Sequence, residues 1–151
     1  MKVKDVMTRV VHSCGPDSSL GEAAMTMQRN DCGILPVTNT KGRVLGMITD
    51  RDICMAVATK ARLASEITAK EVMSGEVYAC TPDDDVRMVL RIMQEKRVRR
   101  LPVVIGDQTL HGIVSINDMV LRALEEKGSD LPLEEVMKTM AGICDTFAGL
   151  C

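Results

Sequence analysis

The chain matches itself when it is shifted by 66 residues along its own length. Between residues 4 and 56 this shift pairs 14 identical residues without a gap, whereas ordinary residue frequencies predict about three or four. The identities include Lys4, Val6 and Met7 on Lys70, Val72 and Met73, then Leu35-Pro36-Val37 on Leu101-Pro102-Val103, and Gly46 with Asp52 on Gly112 with Asp118. Most of the chain therefore consists of two tandem copies of one unit of about 55–60 residues.

Each copy has the same predicted order of elements, β-α-β-β-α, which is an α/β (α+β) fold. A short apolar run predicts a first strand that stops at a Pro-Asp turn, and an amphipathic helix follows over residues 19–30 or 84–96. Candidate N-caps are Asp17, Ser18 and Ser19, or Asp83 and Asp84, and Glu22 is expected to complete a cap with Ser19. The predicted first strands are Val10-Val11-His12 and Val77-Tyr78-Ala79, and the later strands and helices are Ile34–Thr38, Arg43–Thr49, Asp50–Ala58, Leu101–Ile105, Thr109–Ser115 and Ile116–Glu125.

The repeat also sets the predicted domain organisation. Residues 1–60 form the first domain, 61–68 a linker, 69–126 the second domain, and 127–151 a C-terminal helical tail. A short helical turn is expected at Leu63–Ile67, and a helix over residues 131–147. Neither copy alone is large enough to be comfortably stable, so the two are expected to pack as a pseudo-two-fold pair.

Composition excludes several classes of protein. An apolar fraction of 46% with a net charge of −2 argues against disorder and gives no basic surplus for nucleic acid. The chain has only two aromatic residues, Tyr78 and Phe147, too few for a platform on which single-stranded bases could stack. No apolar run approaches the ~18 residues of a membrane span, and the N-terminus lacks the apolar core of a signal peptide. We therefore expect a cytoplasmic protein that binds neither membranes nor nucleic acid.

The six cysteines, at positions 14, 32, 54, 80, 144 and 151, contain no Cys-x-x-Cys pair, and only two histidines accompany them. They are expected to be small buried hydrophobic residues rather than metal ligands. A redox role for Cys144 and Cys151 is the open alternative. The chain also has no Gly-x-Ser-x-Gly, P-loop or His-Glu-x-x-His motif, so no catalytic site is expected.

The repeated motifs resemble the CBS domain, the unit named after cystathionine β-synthase. In the first copy these motifs are Lys4-Asp5-Val6-Met7, Ile34-Leu35-Pro36-Val37 and Gly46-Met47-Ile48-Thr49-Asp50-Arg51-Asp52, and in the second Lys70–Met73, Arg100-Leu101-Pro102-Val103 and Gly112-Ile113-Val114-Ser115-Ile116-Asn117-Asp118. The resemblance covers roughly residues 3–125, a tandem pair called a Bateman module. It implies a non-catalytic regulatory module, such as an energy sensor. Such a module binds AMP, ADP, ATP or S-adenosylmethionine in clefts between the repeats and regulates a partner, here in trans. No cofactor beyond that ligand is implied.

Thr49-x-x-Asp52 and Ser115-x-x-Asp118 are the motifs best suited to such a ligand. Each hydroxyl lies where a strand is predicted to end and a helix to begin, and unpaired N–H groups at a helix start attract phosphate. The Asp carboxylate can accept two hydrogen bonds from a ribose diol. Gly46 and Gly112 are expected to let backbone and ligand approach closely. The same spacing also describes a capping box, which needs no ligand.

By the resemblance, each cleft combines residues of both repeats. The first joins Thr49 and Asp52 to Val77, Tyr78, Val98, Arg99, Arg100 and Pro102, and the second joins Ser115 and Asp118 to Val10, Val11, Gly33, Ile34 and Pro36. Arg99 and Arg100 predict that the first cleft takes the ligand with more phosphates, and that the second holds little phosphate charge or stays empty. Alternatively, these arginines belong to a solvated or dimer-facing basic strip.

Two further expectations follow from the resemblance. A homodimer is expected through the helices, with candidate contacts at Ala23, Met27, Met55, Val89, Met93 and Leu121, unless these residues face only the core of their own chain. The alternative function is a stress- or redox-related interaction module that keeps the fold without the ligand. The regulated partner cannot be identified from the sequence.

Overall fold

The protein folds into two compact units, each containing residues of both repeats. The computed structural model describes residues 1–125 and 131–145. The first-repeat unit comprises Val11–Val77 and Gly106–Leu110. The second-repeat unit comprises Met1–Val10, Tyr78–Ile105 and the described residues from His111 onward. No helix in the described ranges is long and apolar enough to cross a membrane.

The first-repeat unit packs two helices against a β-hairpin. Its elements are α1 (Leu20–Arg29), β1 (Ile34–Thr38), β2 (Val44–Thr49) and α2 (Asp50–Lys60). The strands are antiparallel, with Ile34 opposite Thr49, and this register turns Leu35 and Ile48 into the core. Helix α1 begins with the predicted capping box, because Ser19 accepts from the Glu22 N–H and Glu22 accepts from the Ser19 N–H.

The second-repeat unit repeats this arrangement and adds a helix. Its elements are α3 (Val86–Lys96), β3 (Arg100–Ile105), β4 (Thr109–Ser115), α4 (Ile116–Glu125) and α5 (Leu133–Cys144), except that the first two residues of β4 belong to the first-repeat unit. The N-cap of α3 is Asp85, which accepts from the Arg87 N–H, rather than Asp83 or Asp84. The Asp84 carboxylate instead accepts from the Thr81 N–H and so holds the preceding turn.

The predicted α+β fold class is confirmed, but the predicted first strands are wrong. Neither Val10-Val11-His12 nor Val77-Tyr78-Ala79 forms a strand, and only an isolated parallel bridge follows each run. Cys14 bridges to Val37 and Cys80 to Val103. Extending either ladder toward the start of the run would require an N–H from Pro36 or Pro102, and proline has none. Val10 is accordingly 79% exposed. The predicted helical segment at Leu63–Ile67 is also a turn rather than a helix.

The segment that leads into each repeat bonds to the Pro-Asp turn of the other repeat. The N–H groups of Val3 and Lys4 donate to the carbonyls of Asp84 and Pro82, both at 2.9 Å. The related segment bonds in the same way, with Ala69 donating to Ser18 at 2.8 Å and Lys70 to Pro16 at 2.9 Å. The side chains of the two lead segments match as well, because Lys4 pairs with Asp83 and Lys70 pairs with Asp17. The sequence repeats and the compact units are therefore different divisions of the chain.

The same lead segments explain the two repeated glycines. Thr8 exchanges two backbone hydrogen bonds with Ile113 beside Gly112, and Ser74 bonds to Met47 beside Gly46. A Cβ atom would lie 2.8 Å from the Ser74 carbonyl oxygen at Gly46, and 2.9 Å from that of Thr8 at Gly112. In the structure, the close approach expected at these glycines is made by the chain's own backbone.

Gly46→Ala is expected to lower the free energy of unfolding by about 1–3 kcal/mol, since the Ser74 carbonyl must move as well as the Met73 side chain. Gly75→Ala is the matched control, because a Cβ there has no neighbour within 4 Å. Urea denaturation followed by circular dichroism gives both values. Equal midpoints for the two variants would contradict the assignment.

Candidate functional site

The strongest candidate sites are the two points where the second strand of each hairpin passes into a helix. Residues 49–52 form the first junction, in the first-repeat unit, and residues 115–118 form the second junction, in the second-repeat unit. Thr49 is the last residue of β2 and the N-cap of α2, and its backbone is still extended. The hydroxyl is thereby fixed beside the N–H groups that begin the helix.

Both junctions form reciprocal caps. At the first, the Asp52 N–H donates to Thr49 Oγ1 at 3.1 Å, and the Thr49 N–H donates to Asp52 Oδ2 at 2.9 Å. At the second, the Ser115 N–H and hydroxyl donate to Asp118 Oδ2 at 2.8 and 2.6 Å. The capping interpretation is therefore confirmed for both motifs.

The caps leave part of each carboxylate unused. Within the described ranges, the hydrogen bonds to Asp52 and Asp118 all end on Oδ2. Each Oδ1 therefore has lone pairs for a donor from outside the chain, such as a ribose hydroxyl. Both aspartates are half-buried, so the carboxylates are held in place yet reachable. Capping and ligand binding are compatible at each junction.

The charges beside the two junctions differ. The Arg99 carbonyl accepts from the Ile116 N–H at 3.0 Å, which places Arg99 next to the second junction. At the matching position the Gly33 carbonyl accepts from the Asp50 N–H at 3.1 Å. Arg99 is exposed, and its guanidinium donates to Cys144 Sγ at 3.8 Å. The second junction thus has an arginine where the first has glycine.

Asp50 is a site residue that the sequence interpretation missed. Its carboxylate lies against Gly33, with Oδ2 3.0 Å from where a Cβ would be. The matching residue of the second repeat is Ile116. Comparing Thr49-Asp50-Arg51-Asp52 with Ser115-Ile116-Asn117-Asp118 would have shown the extra negative charge at the first junction.

The remaining predicted site residues are divided between the two units. The first-repeat unit holds Thr49, Asp52, Val11, Gly33, Ile34, Pro36 and Val77, and the second-repeat unit holds Ser115, Asp118, Val10, Tyr78, Val98, Arg99, Arg100 and Pro102. The structure therefore brings Arg99 together with Ser115, and Gly33 with Thr49. Each predicted cleft draws on both units, and its composition stays a prediction.

Three of these residues already have partners in their own unit. Pro36 and Pro102 are buried in their strands, where their carbonyls accept from the N–H groups of Cys14 and Cys80. The Lys96 ammonium lies 4.9 Å from the centroid of the Tyr78 ring, within range of a cation–π interaction. Tyr78 is thus held by its own unit.

The described cysteines include two with unreactive thiols. Burial raises the pKa of Cys80 to about 12 and raises that of Cys14 as well. Both therefore stay protonated at neutral pH and behave as the expected hydrophobic residues. Cys144 is half-buried and Cys54 exposed, while Cys151 lies outside the described residues. In the described ranges no three His, Cys, Asp or Glu side chains are grouped to hold a metal ion.

Four of the candidate dimer contacts face the core of their own unit. Ala23, Met27, Val89 and Met93 are at most 4% exposed, so they supply no contact surface. Only Met55 and Leu121, at 52% and 60% exposure, remain available. The reason is that the apolar faces of α1 and α3 are needed to cover their own hairpins.

Comparison with known proteins agrees with this architecture. The family model for the CBS domain matches residues 3–59 and 69–125. A CBS domain-containing protein, YhcV of Bacillus subtilis, is 31% identical over 134 residues, covering 89% of this chain and 94% of YhcV.

Two solved structures are also similar. The CBS domain pair of protein MJ0100, in complex with 5-methylthioadenosine and S-adenosyl-L-methionine, has a TM-score of 0.76 and 26% identity, covering 84% of this chain and 98% of that one. Hypoxic Response Protein I, with two coordinated zinc ions, has a TM-score of 0.73 and 31% identity, covering 80% of this chain and 98% of that one.

Thr49→Ala is expected to cost about 1 kcal/mol of stability, because the Asp52 N–H loses its capping oxygen. Thr49→Ser keeps that oxygen and is the matched control. Thermal unfolding followed by circular dichroism compares the two. If both lower the melting temperature equally, the lost methyl group, and not the cap, is responsible.

Proposed function

The chain belongs to the CBS domain family, and we propose that it is a non-catalytic regulatory module whose ligand is an adenine nucleotide or another adenosyl compound. The ligand would bias one conformation of the module, and a partner protein would respond in trans. Only a difference in affinity between two conformations can drive such a response. The relative MJ0100, which binds two adenosyl compounds, supports this class of ligand.

The observation that carries the proposal is that, among the described residues, no donor bonds to Oδ1 of either capping aspartate. A ribose diol presents two donors at a spacing that one carboxylate can accept. The cap fixes the carboxylate before the ligand arrives, so little side-chain freedom is lost on binding.

We further propose that Arg99 and Arg100 contact the phosphates. Arg99 is exposed beside the N-terminus of α4, where helix N–H groups also favour negative charge. At the first junction the corresponding region has Gly33 with the Asp50 carboxylate against it, which disfavours phosphate. The phosphate end of the ligand is therefore assigned to the arginines.

The function is tested by isothermal titration of the whole chain with AMP, ADP, ATP, S-adenosylmethionine and 5-methylthioadenosine, using GMP as the base control. At least one adenosyl ligand should bind, and Asp52→Asn or Asp118→Asn should weaken it about tenfold or more while thermal stability stays close to that of the parent. If none of the five ligands gave a heat of binding, the proposal would be wrong.

Arg99→Ala and Arg100→Ala should each lower the affinity for ATP more than that for 5-methylthioadenosine. The expected loss for ATP is about tenfold, since a charge-assisted contact contributes roughly 1.5 kcal/mol or more. Arg91→Ala on the exposed face of α3 removes the same charge away from the junction. Equal losses for the two ligands, or an equal loss in Arg91→Ala, would contradict a phosphate role.

The same variants test the sequence-based pairing of Arg99 with the first motif. Combining Arg99→Ala with Asp52→Asn should give a non-additive loss of ATP affinity if these residues share one ligand. Combining Arg99→Ala with Asp118→Asn should then be additive. The reverse outcome would place the phosphates and the second motif on one ligand.

A ligand-free redox or stress module is the second candidate. It is favoured by the contact between Cys144 and Arg99, and by similarity to a protein named for the hypoxic response. This candidate predicts no adenosyl binding and a Cys144 thiol whose reaction with iodoacetamide slows after Arg99→Ala, because the guanidinium that contacts the sulfur is lost. A homodimer, which either function permits, is tested by analytical ultracentrifugation of the Met55→Glu and Leu121→Glu variants.

A further inference from the structure

The first helical turns at the two junctions differ in one backbone N–H group. At the first junction, the Arg51 N–H donates to Asp50 Oδ1 at 2.7 Å. The corresponding residue of the second repeat is Asn117, and Ile116 stands there in place of Asp50. Among the described residues, no group accepts from the Asn117 N–H. The same position at a helix start is therefore satisfied in the first repeat and open in the second.

Gly33 makes room for the Asp50 carboxylate. Asp50 Oδ2 lies 3.0 Å from the place where a Cβ atom on residue 33 would be, and Oδ1 lies 3.7 Å from it. A side chain at this position, such as that of Arg99 in the second repeat, would crowd the carboxylate. Gly33 with Asp50 and Arg99 with Ile116 are thus two linked alternatives. One brings an anion to the helix start, and the other brings a cation beside it.

The Asp50 carboxylate lies where a helix start would hold a phosphate. Helix N-termini attract anions, because their first N–H groups lack intrahelical partners and the helix dipole is positive there. Asp50 supplies such an anion from the chain itself, half-buried beside Gly33. The neighbouring Arg51 side chain is exposed and forms no ion pair with a described carboxylate, so it does not neutralise Asp50.

The position of the ribose determines which ligand group the carboxylate meets. Under the proposed function Asp52 binds the ribose diol, and Asp50 lies in the same first turn of α2. The 5′ carbon belongs to the ribose, so the group that it carries begins near that turn. This group is a negatively charged phosphate in AMP, an uncharged thioether in 5-methylthioadenosine and a positively charged sulfonium in S-adenosylmethionine. A carboxylate repels the first and attracts the last.

We infer that Asp50 is a specificity-determining residue, which makes the first junction select an adenosyl ligand with an uncharged or positively charged 5′ group, a sulfonium above all. Ligands that carry phosphate are left to the second junction, where Arg99 and the Asn117 N–H favour them. The inference rests on the proposed function, because it assigns a ligand class to one of the proposed sites.

Isothermal titration of the whole chain carrying Asp118→Asn tests the inference, because this change weakens the second junction. S-adenosylmethionine and S-adenosylhomocysteine differ only by the methyl group and the positive charge on sulfur. The former should bind about fivefold more tightly, the upper end of what a partly exposed pair of opposite charges contributes. Asp50→Asn keeps the shape of the side chain and removes its charge, so it should abolish this preference and strengthen the binding of AMP.

Asp107→Asn is the matched control for net charge. It removes one negative charge from the same unit, at an exposed carboxylate that pairs with Arg43. The preference for S-adenosylmethionine over S-adenosylhomocysteine should be retained in this variant. Loss of the preference in Asp107→Asn as well as in Asp50→Asn would assign it to the overall charge of the unit and overturn the role of Asp50.

A second measurement needs no adenosyl ligand. Inorganic pyrophosphate is titrated into the parent chain and into Asp50→Ala, and the backbone amide signals of Arg51 and Asn117 are followed by NMR. The Asn117 signal should shift in both chains, whereas the Arg51 signal should shift only in Asp50→Ala, which frees its N–H. If the Arg51 signal behaves alike in the two chains, Asp50 does not block the helix start and the inference is wrong.

The titrations also separate the inference from the proposed function. Binding of adenosyl ligands by the parent but not by the Asp118→Asn chain would leave the proposed function intact and overturn the inference. Equal affinities for the two sulfur compounds, or a single ligand shared by Arg99 and Asp52 in the double-variant test above, would do the same. If the parent binds no adenosyl compound, the proposed function and the ligand assignment both fail, and pyrophosphate still reports whether Asp50 blocks the helix start.

Discussion

The exchange of lead segments between the two repeats determines the rest of the structure. Val3 and Ala69 are completely buried at the two exchange points, and each is fixed by backbone hydrogen bonds to a Pro-Asp turn. Burying a valine contributes about 1.5–3 kcal/mol, whereas the ion pairs of Lys4 and Lys70 are exposed and contribute little. Apolar burial and backbone pairing therefore specify the exchange. One repeat alone would lack the segment that completes its unit.

This exchange constrains the junctions that we propose as ligand sites. The lead segment pairs with β2 or β4 beside Gly46 or Gly112, three residues before the capping hydroxyl in each repeat. The strand end is thus held on one side by the lead segment and on the other by its hairpin partner. The cap then fixes the aspartate. Precise placement of Oδ1 is a consequence of ordinary folding interactions, and a ligand site at this position needs no additional strain.

Local features were predictable from the sequence, and long-range ones were not. The bounds of β1, β4 and α4 agree with the periodicity, and the caps at Ser19 and Thr49 follow from residue spacing alone. The exchange of lead segments could not be predicted from the sequence, because Lys4–Met7 and Lys70–Met73 are so similar that each could bond to either Pro-Asp turn. The missing first strand was predictable in principle, since Pro36 and Pro102 lack the donor that a longer ladder needs.

The two repeats have kept their backbone roles and have diverged in charge. The carbonyls of Gly33 and Arg99 accept the same hydrogen bond, from the first N–H of the following helix, and the segments before them also bond alike. Only Arg99 brings a cation to its junction. On the helical side, Asp31 and Arg97 occupy matching positions with opposite charge. The repeats share their backbone hydrogen bonds and apolar positions, and their exposed side chains at positions 31 and 97 differ in charge. Two copies of one fold thus present an arginine beside the junction of one repeat and the Asp50 carboxylate beside that of the other. The differences between the copies, rather than the features they share, therefore carry most of the information about function.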